Sequence, residues 1–155
     1  MSYIKKISEK YISKWLTIIE KDVKLPHSAN VETYYSVKVA DYVAAITITK
    51  DEQILLVKQF RPVVEGYTYE LPSGMIESDE NSKQAMIREL YEETGYSCDL
   101  NEIIFLGKLV PDTGRLENKL WCYFIKLKDP PLEVWEKEDE VEPILVSKER
   151  LKELL

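Results

Sequence analysis

The stretch from Glu70 to Tyr96, ELPSGMIESDENSKQAMIRELYEETGY, constrains the fold more than any other part of the chain. Asn81 to Thr94 carries helix-forming residues throughout, and both ends are marked. Asn81, with Gln84 three residues on, makes a variant capping box, and Gly95 stands where a left-handed residue closes a helix. Inside it, Glu89, Glu92 and Glu93 fall at i, i+3 and i+4, which places three carboxylates on one helical face. Met86, Ile87 and Leu90 lie on the opposite side and are expected to bury against a sheet, holding the acidic face rigid. Upstream, Leu71-Pro72-Ser73-Gly74 reads as a strand-to-loop transition. Pro fixes the approach and Gly lets backbone carbonyls come close to a ligand.

Three like charges on one face repel one another, so the arrangement makes physical sense with a hard divalent cation between them. Mg²⁺ or Mn²⁺ takes carboxylate and carbonyl oxygens, and the carbonyl of Ser73 or Gly74 could complete the shell. A bare E-x-x-E-E is usually only a solvated face. The full pattern is more specific: Gly74, Glu80, Arg88, Glu89, Leu90, Glu92, Glu93, Gly95 and Tyr96 spell G-x5-E-x7-R-E-L-x-E-E-x-G-Y. This resembles the signature of the Nudix hydrolases, G-x5-E-x7-R-E-U-x-E-E-x-G-U with U a bulky aliphatic residue. Tyr96 is the one departure, and an aromatic there still fills an apolar slot. The resemblance implies metal-dependent hydrolysis of a nucleoside diphosphate linked to another moiety. By position it makes Glu89, Glu92 and Glu93 metal ligands, with Glu92 and Glu93 in the catalytic set, and Arg88 with Glu80 an ion pair that orients them.

Size and charge are compatible with that chemistry. A chain of 155 residues suits one domain, 1–155, with a strand region at 1–40 and a catalytic core at 41–155. The net charge of −7 argues against nucleic acid as the main partner, because a strand or duplex binder normally carries a basic face. A small polyanion arriving with Mg²⁺ is compatible. Cys98 and Cys122 have no C-x-x-C or nearby His, so free thiols in a reducing cytoplasm are expected rather than zinc. The one histidine, His27, lies in a turn-like stretch, which leaves Ser-His-Asp and Cys-His schemes without a credible base. Charged residues interrupt the apolar runs at the N-terminus, so no signal peptide or membrane span is expected.

Periodicity gives strands near 4–12, 15–24, 32–39, 42–49, 53–60, 103–109, 120–127 and 141–146, with Ser147 opening a last amphipathic helix that carries Leu151, Leu154 and Leu155. The fold class is mixed α/β. The Nudix resemblance implies an α/β/α sandwich with a mixed sheet and an N-terminal antiparallel strand extension.

Further stretches speak to substrate. VKQFRPVVEGYTYELPSGMIE and Pro111 are similar to ADP-ribose pyrophosphatases of the family, and KWLTIIEKDVKLP and ETYYSVK are similar more weakly. That resemblance implies adenine stacking on Trp15 and Tyr34, each worth about 1–3 kcal/mol in comparable contacts. It further implies a homodimer through exchanged N-terminal strands, and Arg61 as a bidentate donor to phosphate or ribose. Glu70 is then a residue that orients Arg61 or the metal waters. A loop before the last strand supplies the general base, with Glu138, Asp139 and Glu140 as candidates and Glu117 as a competitor. Asp112 and Thr113 separate Pro111 from Gly114, and Arg115 is added, so this loop departs from the subfamily pattern that bears on the terminal sugar. The expected reaction is Mg²⁺-dependent cleavage of ADP-ribose, or a related nucleoside diphosphate sugar, to a nucleoside monophosphate and a sugar phosphate. The alternatives are a Nudix hydrolase acting on GDP-mannose or a nucleoside triphosphate, and a non-catalytic nucleotide-sensing module.

Overall fold

A computed structural model of the chain describes residues 3–137 and 140–154. It forms two compact units: residues up to Asp41 together with Leu109–Lys119, and Tyr42–Lys108 together with residues from Leu120 onward. The 109–119 loop therefore belongs with the N-terminal strands, although it lies inside the stretch expected to form the core.

The first unit is an antiparallel sheet of β1 (Ile4–Ser13), β2 (Leu16–Val23) and β3 (Glu32–Lys38), in that order. The loop clips onto β3, with Val37 N–H donating to the Arg115 carbonyl at 2.7 Å and Glu117 N–H donating to the Val37 carbonyl at 3.0 Å. Among its described residues, Ile19 is the one buried large apolar side chain. Ile7, Tyr11, Trp15, Tyr34 and Tyr35 are all exposed.

In the second unit, β4 (Tyr42–Ile48), β5 (Ile54–Arg61), β8 (Ile103–Leu109), β9 (Leu120–Lys126) and β10 (Val141–Val146) make a sheet in the order β10-β5-β4-β9-β8. Two further strands extend it, β6 (Gly66–Glu70) on β5 and β7 (Ser73–Met75) on β4. β4 and β9 run parallel while β5 is antiparallel to β4, β6 and β10, so the sheet is mixed as expected. Strand β5 explains the layering. Leu55 packs with Val43, Ala45, Tyr123 and Ile125 against Ala85, Met86 and Leu90 of helix α1 (Ser82–Thr94). Ile54 and Leu56 point the other way, to Val146 and to Leu151 and Leu154 of helix α2 (Lys148–Leu154). Side chains alternate along a strand, so an apolar run such as Ile54-Leu55-Leu56-Val57 is stable with a helix on each face.

Strands β6 and β7 were not expected from periodicity. Pro72 between them lacks an N–H and breaks the ladder, leaving a short β7 whose residues 73–75 pair only with Ala44, Val43 and Tyr42. The apparent strand-to-loop transition is thus a strand that holds Ser73 and Gly74 in fixed register. Tyr96 is buried in the α1 side of the core, as the apolar slot requires. No helix among the described residues is long and apolar enough to cross a membrane.

Candidate active site

Helix α1 is fixed at both ends by its own sequence. The Asn81 side chain accepts from the N–H groups of Lys83 and Gln84, and Gln84 Oε1 accepts from Asn81 N–H at 2.9 Å, completing the capping box. Gly95 ends the helix with φ of 73°, a left-handed conformation that favours glycine.

Between these caps the three signature glutamates part company. Glu89 and Glu93 are 9% and 3% exposed and lie on the buried side of the helix with Ala85, Met86 and Leu90, not opposite Met86 and Leu90 as expected, whereas the Glu92 side chain is 45% exposed. Glu93 Oε2 accepts from the Ser73 amide at 2.9 Å. Glu89 lies on Gly74 so closely that a Cβ there would come within 1.9 Å of the carboxyl carbon and 2.0 Å of Oε1. Any side chain at position 74 would therefore displace the Glu89 carboxylate from this place. Strand β7 and helix α1 together hold two carboxylates over one stretch of backbone. Ser73 reaches this site through its amide N–H.

Arg88 organises the other carboxylates. Its Nη1 donates to Glu89 Oε1 at 2.9 Å and Glu92 Oε2 at 2.8 Å, its Nε and Nη2 donate to Glu80 at 3.1 and 2.7 Å, and Nη2 also donates to the Met75 carbonyl at 2.9 Å. All the guanidinium N–H donors are thereby used, which the planar fork of an arginine allows and a lysine does not. These bonds hold the Glu80 carboxyl below the usual carboxylate range and raise the Arg88 pKa. Glu80 and Arg88 form the ion pair that the signature implied. Glu92 thus shares Arg88 Nη1 with Glu89, while Glu93 takes the Ser73 amide. Among the described residues no three His, Cys, Asp or Glu side chains converge on one point.

The donor set nevertheless fits a hard divalent cation. Three carboxylates, those of Glu80, Glu89 and Glu92, share one guanidinium, a fourth, that of Glu93, sits on the Ser73 amide, and Glu89 and Glu93 are largely withdrawn from water. Burying like charges is costly unless positive charge offsets them, and oxygen donors of this kind suit Mg²⁺ or Mn²⁺.

The remaining expected residues fall in separate places. Arg61 at the end of β5 grips Glu70 at the end of β6 in a two-point pair, Nε to Oε1 at 2.8 Å and Nη2 to Oε2 at 2.6 Å. Thr68 also donates to Glu70, and with Arg61 it holds that carboxyl below its usual range. Trp15 lies in the turn between β1 and β2 with Lys14 Nζ 4.4 Å from its ring centre. Tyr34 pairs with Lys21 across β2, near the strand's far end. Five residue steps separate Leu16 from Lys21, roughly 16 Å of strand, so one chain does not bring Trp15 and Tyr34 into a single stacking slot. Glu117 is held by Lys21 and Ser36, and both contacts keep its carboxyl low. Glu140 is exposed with φ of 68° at the start of β10. Glu138 and Asp139 lie outside the described residues.

Two residues that the sequence did not single out stand next to the signature. Glu136 and Lys137, with Tyr91 and Glu92, line a cavity of about 370 Å³. The acidic run after Trp135 was the available signal, but its register on α1 depends on tertiary packing. Cys98 and Cys122 are free and half-buried, with the Cys98 thiol pushed up to about 11, mainly by burial.

The NUDIX domain profile matches residues 39–155. The chain is 37% identical to a mouse (Mus musculus) ADP-sugar pyrophosphatase, over 61% of this chain and 49% of the relative. It is 34% identical to a Bacillus subtilis ADP-ribose pyrophosphatase, over 57% of this chain and 47% of the relative. The chain thus spans about half the length of these curated relatives. Among solved structures, one described as the crystal structure of ADP compounds hydrolase superposes with a TM-score of 0.77 at 18% identity, over 97% of this chain and 80% of the other. That likeness shows the fold. With the signature intact, its helix and glycine in register, and the profile covering most of its length, the chain belongs to the NUDIX family.

Proposed function

We propose that the protein hydrolyses the pyrophosphate bond of ADP-ribose or a related nucleoside diphosphate sugar, with Mg²⁺ or Mn²⁺ as cofactor. One observation carries this reading: Glu89 and Glu93 are buried side by side against the Ser73–Gly74 backbone, with an excess of carboxylate over cation around them. Nudix hydrolases use divalent ions, and the names of the mouse and Bacillus relatives supply the substrate class. Glu89 and Glu93 are the residues to hold the ion, with Glu92 joining them by leaving Arg88.

The bound cation would neutralise phosphate oxygens and make a water nucleophilic near neutral pH. The protein's own residues do the rest. Ser73 N–H fixes the Glu93 carboxylate, and Gly74 leaves room for that of Glu89. Arg88, itself anchored by Glu80, orients Glu89 by a direct bond, so the acidic pair is held before substrate arrives. Arg61, held by Glu70, would donate to an anionic part of the substrate. Glu138 and Glu140 stay as candidates for the proton acceptor, whereas Glu117 is already engaged by a lysine and a serine, a poor state for a base. Trp15 and Tyr34 would form an adenine site only with one residue from each of two chains, which ties the nucleotide reading to a homodimer. Free thiols at Cys98 and Cys122 favour a reducing, cytoplasmic setting.

The test is direct. Purified protein with Mg²⁺ is offered ADP-ribose, UDP-glucose, GDP-mannose, diadenosine polyphosphates and nucleoside triphosphates, and products are resolved. AMP from ADP-ribose is the expected product, and Glu93→Gln should lose nearly all turnover with its circular dichroism unchanged. Turnover of triphosphates alone would overturn the substrate class. Undiminished activity in Glu93→Gln would overturn the metal assignment.

A further inference from the structure

Gly95 closes α1 in a left-handed conformation, and a second demand falls on the same residue. A Cβ there would meet Trp135 Cδ2 and Cε3 at 2.7 Å and Cε2 at 3.0 Å, so the indole lies directly on the glycine. Beside this contact, Leu132 N–H donates to the Gly95 carbonyl at 3.0 Å. The segment after β9 is therefore pinned to the last turn of α1 twice, once by a hydrogen bond and once by a ring. Just past the pin, Glu136 and Lys137 line the cavity with Tyr91 and Glu92. The indole Nε1 is buried and finds no acceptor among the described residues. An unsatisfied buried donor disfavours the placement, so packing of the ring on the helix end, not a polar bond, is what holds it.

Resting on the pyrophosphatase reading above, we propose that Trp135 is a positioning residue: seated on the side-chain-free Gly95, it holds Glu136 and Lys137 beside the signature carboxylate Glu92. The signature glycine then serves two purposes, ending the helix and receiving the indole. The physical consequence is order. Charged groups on a chain segment contribute to a reaction only if they are held in place beforehand, and a displacement of an ångström can cost about a hundredfold in rate. Without the ring, the hold on the Gly95 turn is left to the Leu132 bond.

The experiment compares Trp135→Ala with Trp135→Phe. Three readouts are taken: hydrogen exchange at the Leu132 amide, Mn²⁺ affinity by electron paramagnetic resonance, and steady-state kinetics on ADP-ribose. In Trp135→Ala, Leu132 should exchange at least about tenfold faster, as expected when local opening becomes easier. Its kcat should fall by about 10- to 100-fold while Mn²⁺ affinity stays within about twofold. Trp135→Phe keeps a ring on Gly95 and drops the unsatisfied N–H, so protection and kcat should stay near wild type. Wild-type exchange in Trp135→Ala would overturn the pin whatever the activity. Faster exchange with unchanged kcat would overturn the positioning role, and Trp135→Phe behaving like Trp135→Ala would overturn the ring contact as its cause. If the wild-type protein hydrolysed no nucleoside diphosphate sugar, the function reading and the kinetic role would fall together. The exchange comparison would still decide the pin.

Discussion

Gly74 shows how one absent side chain can be read at the residue scale. As a sequence feature it marks a bend or a close backbone approach; in the structure the close neighbour is the Glu89 carboxylate, which occupies the space a Cβ needs. Gly74→Ala should therefore leave the fold intact and displace Glu89. The expected outcome is a loss of about tenfold or more in Mn²⁺ affinity, read by titration calorimetry, because misplacing one carboxylate ligand weakens a site built from few. An unchanged affinity would show that Glu89 is not a ligand. Arg88 carries the complementary lesson: its role follows from sequence as half of an ion pair, but its hold on Glu92 as well as Glu80 and Glu89 is a matter of rotamers.

At the scale of elements, the Leu109–Lys119 loop is tied to β2 and β3 through Glu117, which bridges Lys21 and Ser36. Both partners lower the Glu117 pKa from its ordinary value of 4.5, the lysine more than the serine. A depressed folded-state pKa means that the unfolded chain binds the proton more readily. The tie therefore stabilises fully above pH 4.5 and is lost as pH falls through the lower folded value. Thermal unfolding followed between pH 6 and pH 3 (~0.5-unit steps) should show a smaller acid-side decline in Glu117→Gln than in wild type. Equal declines would mean that Glu117 does not couple the loop to the sheet. The serine and lysine are both partly exposed, so the effect is screened and modest.

For the whole molecule, the N-terminal sheet poses the main question. Three strands with Ile19 as their one buried large apolar side chain, among the described residues, have little hydrophobic surface to hold them together. Ile7 at 56% and Tyr11 at 70% exposed lie on alternate positions of β1 and form part of a face that a second copy could cover. Sedimentation velocity should then give twice the chain mass, and Ile7→Lys with Tyr11→Lys should shift it toward the monomer. A monomeric wild type would remove the two-chain nucleotide site, since Trp15 and Tyr34 stand far apart along β2.

The sequence by itself determined the local and periodic features: α1 with both caps, the strands whose apolar residues alternate or run together, the Tyr96 slot and the family. Each of these depends on contacts within a few residues or on which face turns inward, and both are written in the order of side chains. Only the tertiary structure decided that Ser73–Met75 is a strand, because three residues after a proline carry no period and gain their ladder from β4. It alone left Glu92 exposed while burying Glu89 and Glu93, set Glu117 on Lys21, and laid Trp135 on Gly95. Those relations join residues distant in sequence, and their geometry is chosen by packing and by competition among charges.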